Sequence, residues 1–116
     1  MSLKRVITEF GTGNDLHGGD YTKAAVRAVQ DAIHHSSLTL IRNLGIDAKV
    51  MQVEVTIGVP HPERVDKAAV LAVLPHGTGT VSVVEGGLEI ANDSNTTVVA
   101  NAAAVVRLDL PEGTRA

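Results

Sequence analysis

Four side chains able to do acid–base or ionic chemistry crowd into one short stretch: Asp15, His17, Asp20 and Lys23, set among Gly11, Gly13, Gly18 and Gly19. Glycines let a backbone take positive φ or come close to a ligand. Residues 11–23 read as a glycine-rich loop feeding a helix that starts near Asp20. Free N–H groups at a helix start, with the positive end of its dipole, suit a carboxylate, phosphate or oxyanion. Lys23, in the first turn, sits in a field that disfavours its charge, which would bring it toward a usable base. His17 is suited to shuttle a proton, and Asp15 and Asp20 complete a candidate catalytic set. Gly11, Gly13 and Gly18 would line the ligand. A plainer reading leaves Asp20 as a helix cap, Asp15 closing a turn, and His17 and Lys23 in solvent. The length favours a site, because a strand-to-helix connection usually needs only about 2–6 residues. The glycines match neither GxGxxG nor GxxxxGK[ST], so they name no cofactor.

Two more imidazoles sit in stiff turns, His61 between Pro60 and Pro62 and His76 between Pro75 and Gly77. Rigid placement is what a ligand-binding side chain needs, and both are candidate ligand contacts opposite the loop, from the same or a neighbouring chain. Polar turn histidines fit the sequence equally well. Glu54 and Glu85 stand in strands. There a carboxylate could pair with Lys23 or Arg27 of a neighbour or act as a base; otherwise it is simply solvated. His34 and His35 point in different directions on a helix. No HxH or HxxxH spacing occurs, so no metal site is expected.

The elements that must position these groups follow from periodicity. Residues 4–10 read as a strand ended by Gly11. An apolar stripe of Ala25, Ala28, Val29, Ala32, Ile33 and Leu40 makes a long helix over 20–44, stopped by Gly45. Residues 48–59 alternate as a strand with Met51, Val53, Val55, Ile57 and Val59 on one face. A shorter helix over 63–74 lies between Pro62 and Pro75. A third strand at 80–85 passes Gly86-Gly87 and continues at 88–90. Residues 92–95 are a turn, and 96–110 form a last strand long enough to bulge near Asn101. The order β-α-β-α-β-β predicts one two-layer α+β domain over 1–116, with helices on one face of a mixed sheet. By fold-level analogy this is chorismate-mutase-like, a class whose sheets close into a central barrel in trimers. The uncovered sheet face is therefore expected to meet another subunit.

Composition narrows the function. Net charge is −3 with no basic run, so an electrostatic footprint for nucleic acid is missing. There is no cysteine, which removes thiolate chemistry. No apolar run reaches the roughly 20 residues of a membrane span, and the chain enters a charged strand without a signal peptide; a cytoplasmic location is expected. Hydrophobic residues make up 44% and aromatic ones 2%, so Val, Ala, Leu and Ile must build the core.

Three segments carry a resemblance. They are Glu9-Phe10-Gly11-x-Gly13-x-Asp15-x-His17-Gly18-x-Asp20-x-Thr22-Lys23-Ala24-Ala25-x-Arg27-Ala28, then Val53-Glu54-Val55-Thr56-Ile57-x-Val59-Pro60-His61-Pro62-Glu63, then Val83-Val84-Glu85-Gly86-Gly87-Leu88. In this order the chain resembles the Lin family of short bacterial and fungal conserved hypothetical proteins, and the likeness covers nearly its whole length. That family brings no activity with it. A more distant likeness is to ring-opening amidohydrolases of the cyanuric acid hydrolase type, built from three α+β units and using Ser–Lys pairs. Here Lys23 is present, but the loop holds only Thr12 and Thr22 and no serine, which puts that chemistry in doubt.

These readings together predict a homo-oligomer, trimer-based, binding a small anionic metabolite near a subunit interface. Hydrolase or lyase chemistry would use Lys23 or His17 as base. The competing expectation is a non-catalytic ligand sensor or a structural oligomer whose loop clasps a neighbour.

Overall fold

The computed structural model describes residues 2–34, 52–74 and 78–110. Along them run β1 (Ser2–Asp15), α1 (Tyr21–His34), β2 (Gln52–Val59), a 3-10 turn (Pro62–Arg64), α2 (Lys67–Leu71), β3 (Thr78–Glu85), β4 (Leu88–Ala91) and β5 (Thr96–Leu110). The fold is α+β. A mixed five-stranded sheet has the order β1-β5-β2-β3, with β4 also on β5, and α1 and α2 pack on one face of it.

β5 is the axis of the sheet. One of its edges pairs antiparallel with β1 along nearly its whole length. The other pairs with β2 over residues 101–107 and with β4 over 96–99, while β2 and β3 run parallel. At about 3.4 Å per residue, the 14- and 15-residue strands β1 and β5 set the long axis of a body 56 × 22 × 22 Å.

The core follows from two periodicities. Val53, Val55, Ile57 and Val59 alternate inward along β2, and even-numbered residues from Val98 to Leu108 do so along β5. α1 lays Ala24, Ala25, Ala28, Val29 and Ala32 on them, all without exposed surface. Each fully buried Val or Ile contributes roughly 1.5–3 kcal/mol. The alanines add little area individually but let the helix lie close to the strands. No helix among the described residues is long and apolar enough to cross a membrane.

That close approach corrects the reading of the glycine-rich segment. β1 does not stop at Gly11 but runs on through Gly13 to Asp15, leaving a connection of only residues 16–20. Gly11 and Gly13 sit in the strand directly beneath α1. A Cβ on Gly11 would overlap the Ala28 carbonyl oxygen and lie 2.9 Å from the Ala32 Cα; one on Gly13 would overlap Ala24 and Ala28 and lie 2.7 Å from the Arg27 carbonyl carbon. These two glycines lie in a strand and make room for a helix.

Other elements differ in detail. The helix expected over 63–74 is two pieces, because Val65 is extended (φ −91°, ψ 127°) between the 3-10 turn and α2. Asp66 restarts the helix by accepting the Ala68 and Ala69 N–H groups at 3.0 and 3.3 Å. The strand expected to continue through Gly86-Gly87 instead changes neighbours there and becomes β4. The bulge falls on β1 at Val6, between Arg5 and Ile7, whereas Asn101 pairs regularly with Thr12 and Gly58. The second half of the long helix, its stop at Gly45, the start of the strand at 48–51, His35 and His76 lie outside the described residues.

Candidate functional site

At the start of α1, Asp15 turns toward the helix layer and is 3% exposed. Its Oδ2 accepts the Asp20 backbone N–H at 2.7 Å. Its Oδ1 lies 4.0 Å from Lys23 Nζ and 3.9 Å from Arg27 Nη1, and Arg27 also donates to the Asn14 carbonyl at 2.6 Å. Asp20 caps the helix as its type predicts, taking the Lys23 N–H on Oδ1 at 3.0 Å. Gly18 and Gly19 reverse the chain with φ of +93° and +63°. The Gly18 N–H donates to Asn95 Oδ1 at 3.3 Å. The Leu16 carbonyl accepts from the Asn95 amide and from the Thr97 hydroxyl. The connection is thus tied down to the β4–β5 turn. Asp15, Asp20 and Lys23 lie together, while His17 is exposed in the turn.

A second cluster lies where β2 and β3 end side by side at Val59 and Glu85. There the chain parts. Pro60-His61 leads β2 away into the 3-10 turn, and Gly86-Gly87 carries β3 across to β4, which takes over the β5 edge that β2 has left. The crossing is tight: the Gly86 N–H donates to the Val59 carbonyl at 3.0 Å. Gly87 has φ +60°, and a Cβ there would overlap the Val99 carbonyl oxygen. The parting leaves an open cleft of about 690 Å³ walled by Pro60, His61, Glu85, Gly86-Gly87, Leu88 and Glu89. Open sheets hold ligands at the carboxyl ends of parallel strands where the chain diverges.

Two side chains of this wall, His61 and Glu89, meet Tyr21 and Arg64 beside it. Tyr21, the first residue of α1 and 3% exposed, donates its hydroxyl to Glu89 Oε1 at 2.7 Å. Arg64 Nη1 lies 3.6 Å from the same oxygen, and its guanidinium carbon is 5.3 Å from the Tyr21 ring centroid, within cation–π reach. His61 turns Nε2 toward Glu89 Oε2 at 4.0 Å and Nδ1 toward Glu63 Oε1 at 3.8 Å; its ring centroid is 5.9 Å from that of Tyr21. Burial first, and then the hydrogen bond to Glu89, push the Tyr21 hydroxyl up to about 12. Tyr21 therefore remains a hydrogen-bond donor at neutral pH. Glu89 is held on one oxygen and presents the other to an imidazole, an arrangement that can orient a proton carrier.

Of the sequence candidates, His61 reaches this site and Glu85 lines it. Gly18 is at the surface, where a Cβ would meet nothing within 4 Å. Glu54 lies on the opposite sheet face, and its ion-pair partner is Arg107 of the same chain, at 2.7 Å. Tyr21, Arg64 and Glu89 are the residues that sequence reasoning missed. One signal was available: the chain's single tyrosine stands directly after a helix cap, where an aromatic ring has an apolar body to bury and a hydroxyl to satisfy.

Fold and cleft define a small α+β protein with a polar, imidazole-bearing cleft at the ends of a parallel strand pair. The chain belongs to the Lin0512 family of conserved hypothetical proteins, whose model matches residues 5–106. It is similar to an FtsZ-like protein of unknown function from Nostoc punctiforme PCC 73102, known from a crystal structure. Identity is 36%, over 95% of this chain and 99% of that one, with a TM-score of 0.81. None of the curated proteins matches the chain.

Proposed function

We propose that the protein binds a small anionic metabolite in the cleft between Pro60-His61 and Gly86-Gly87. His61, oriented by Glu89, moves a proton there in a hydrolase- or lyase-type reaction. The observation behind this reading is the Tyr21–Glu89–His61 cluster: a buried hydroxyl fixes one carboxylate oxygen while the other lies 4.0 Å from an imidazole whose side chain is 45% exposed. A carboxylate held by other side chains at the lip of an open cleft is a costly way to stabilise a fold, since well-packed apolar residues do that at least as well. Arg64, 56% exposed, supplies a cation for a carboxylate or phosphate of the guest. The protein works as a homo-oligomer in the cytoplasm, trimer-based if its sheet faces close as in chorismate-mutase-like folds. A thermal-shift panel of carboxylate and phosphate metabolites tests the site. A compound that raises the Tm of the wild type and not of His61→Gln supports it; equal shifts in both proteins reject it.

A second reading keeps the chemistry at the start of α1, with Lys23 or His17 as base. The 4.0 Å approach of Lys23 to Asp15 favours it by bringing amine and acid together. Lys23→Ala and His17→Ala in the same panel separate the two sites. If no compound shifts any of these proteins, the non-catalytic structural oligomer is the reading that stands.

A further inference from the structure

The sheet face turned away from the helices carries a small recess of about 170 Å³, walled by Gln52, Glu54, Thr80 and Arg107 above the buried Val53. Strand register assembles it. Arg107 of β5 stands opposite Gln52 of β2, and Glu54, two residues on, stands opposite Thr80 of β3. Each of these four side chains ends in a hydrogen-bonding group. Arg107 Nη1 meets Glu54 Oε2 at 2.7 Å, although the two side chains are 36% and 50% exposed. An exposed ion pair adds little to stability, but this one holds a cation and an anion side by side on the recess wall. Arg5 sharpens that polarity. The extra residue that β1 inserts at Val6 leaves Arg5 opposite Arg107, where like charges repel. The recess is therefore positive on its β5 side and negative over β2.

We infer that this recess binds the head group of a small free amino acid. The carboxylate lies on Arg107 and the ammonium on Glu54, and the Gln52 amide and Thr80 hydroxyl supply further hydrogen bonds. A guanidinium has five donors and a carboxylate about four acceptor sites, so each partner of the Arg107–Glu54 bond keeps capacity for a guest. A plain anion meets repulsion from Glu54, and a plain amine meets it from Arg107 and Arg5. A zwitterion alone finds an opposite charge at both of its ends, and its two charges are as close together as those of the ion pair. Size points the same way. The recess has room for about five or six waters at their share of liquid volume, well short of the roughly 300–1,000 Å³ of pockets for larger ligands. It lies on the face opposite the His61 cleft and is independent of it.

Calorimetric titration of the wild type with L-alanine and L-serine tests the recess. L-lactate, which lacks the ammonium, and L-alaninamide, which lacks the carboxylate, serve as partial probes. Saturable binding of an amino acid, with each partial probe weaker by roughly tenfold or more, is expected. Arg107→Gln should lower amino-acid affinity by roughly tenfold or more and erase the preference for alanine over alaninamide. Glu54→Gln should lower it similarly and erase the preference for alanine over lactate. His61→Gln should leave both affinities and preferences unchanged. Wild-type protein that binds neither amino acid, or binds the partial probes equally well, overturns the inference without recourse to any variant. Binding that survives in both Arg107→Gln and Glu54→Gln overturns it too, and binding lost only in His61→Gln moves the amino acid to the cleft.

Discussion

α1 begins between two clusters of the same chemistry, and they are put to opposite uses. On one side Asp15, with Lys23 and Arg27 near it, accepts its best hydrogen bond from the Asp20 backbone N–H at 2.7 Å. On the other, Glu89 accepts its best bond from the Tyr21 hydroxyl, also at 2.7 Å, and keeps its second oxygen toward His61. Asp15 is closed in by the loop it organises, while Glu89 stands at the rim of a cleft. A carboxylate whose partner is backbone belongs to the turn it closes. One whose partners are a phenol, a guanidinium and an imidazole is itself being positioned.

The comparison can be broken most severely from below the helix. Gly13→Ala puts a methyl group into the α1 backbone, where neither strand nor helix can yield without parting. A loss of about 3 kcal/mol or more is expected, read as a fall in the urea midpoint, and both clusters should lose their geometry together. A near-normal midpoint would mean that the helix can slide away from β1.

Next in size is Asp15→Ala. It strips the Asp20 N–H of the part-buried bond that the buried Asp15 carboxylate accepts, and about 2 kcal/mol is expected from the unmade bond. The Lys23 and Arg27 ion pairs add little, since both cations are about half exposed. The cleft should survive, so a ligand found by the thermal-shift panel should still bind the folded variant. Loss of that binding would move the chemistry to the start of the helix.

Glu89→Gln sharpens the other side. The chain has one tyrosine and no tryptophan, so phenolate absorbance reports Tyr21 alone. Burial and the Glu89 carboxylate both raise its pKa, to about 12 from 10.0. The folded state thus keeps a proton that the unfolded state releases first. The resulting stability is whole below pH 10 and is lost as pH rises toward 12. Removing the carboxylate's charge should lower the titration midpoint but leave it above 10, because burial, the larger cause, remains. An unchanged midpoint would show that Tyr21 and Glu89 do not communicate.

The same contrast explains what could be read from the sequence. β5 was legible to its ends, since a turn of Asn and Asp precedes it and inward alternation runs through it. The buried face of β2 was equally plain, and so was Asp20 as the cap. His61 stood out because flanking prolines fix its backbone. Gly11 and Gly13 misled because glycine speaks for a loop in local terms, while their cause is a helix lying across them, a tertiary fact. Val65-Asp66 hid a break inside a helical pattern, for Val packs inward in an extended backbone as well as in a helical one. Glu89 was hidden by the change of neighbours at Gly86-Gly87: read as one continuous strand, the segment gives no reason for that carboxylate to meet Tyr21, 68 residues earlier.

The smallest effects on stability separate the two clusters most cleanly. His61→Gln and Lys23→Ala both act on side chains about half exposed, 45% and 53%, whose ion contacts are near 4 Å. Each should change stability by less than about 0.5 kcal/mol, so any difference in ligand response cannot be blamed on unfolding. If the cleft is the site, His61→Gln abolishes the thermal shift and Lys23→Ala leaves it. If the helix start is the site, the two exchange places.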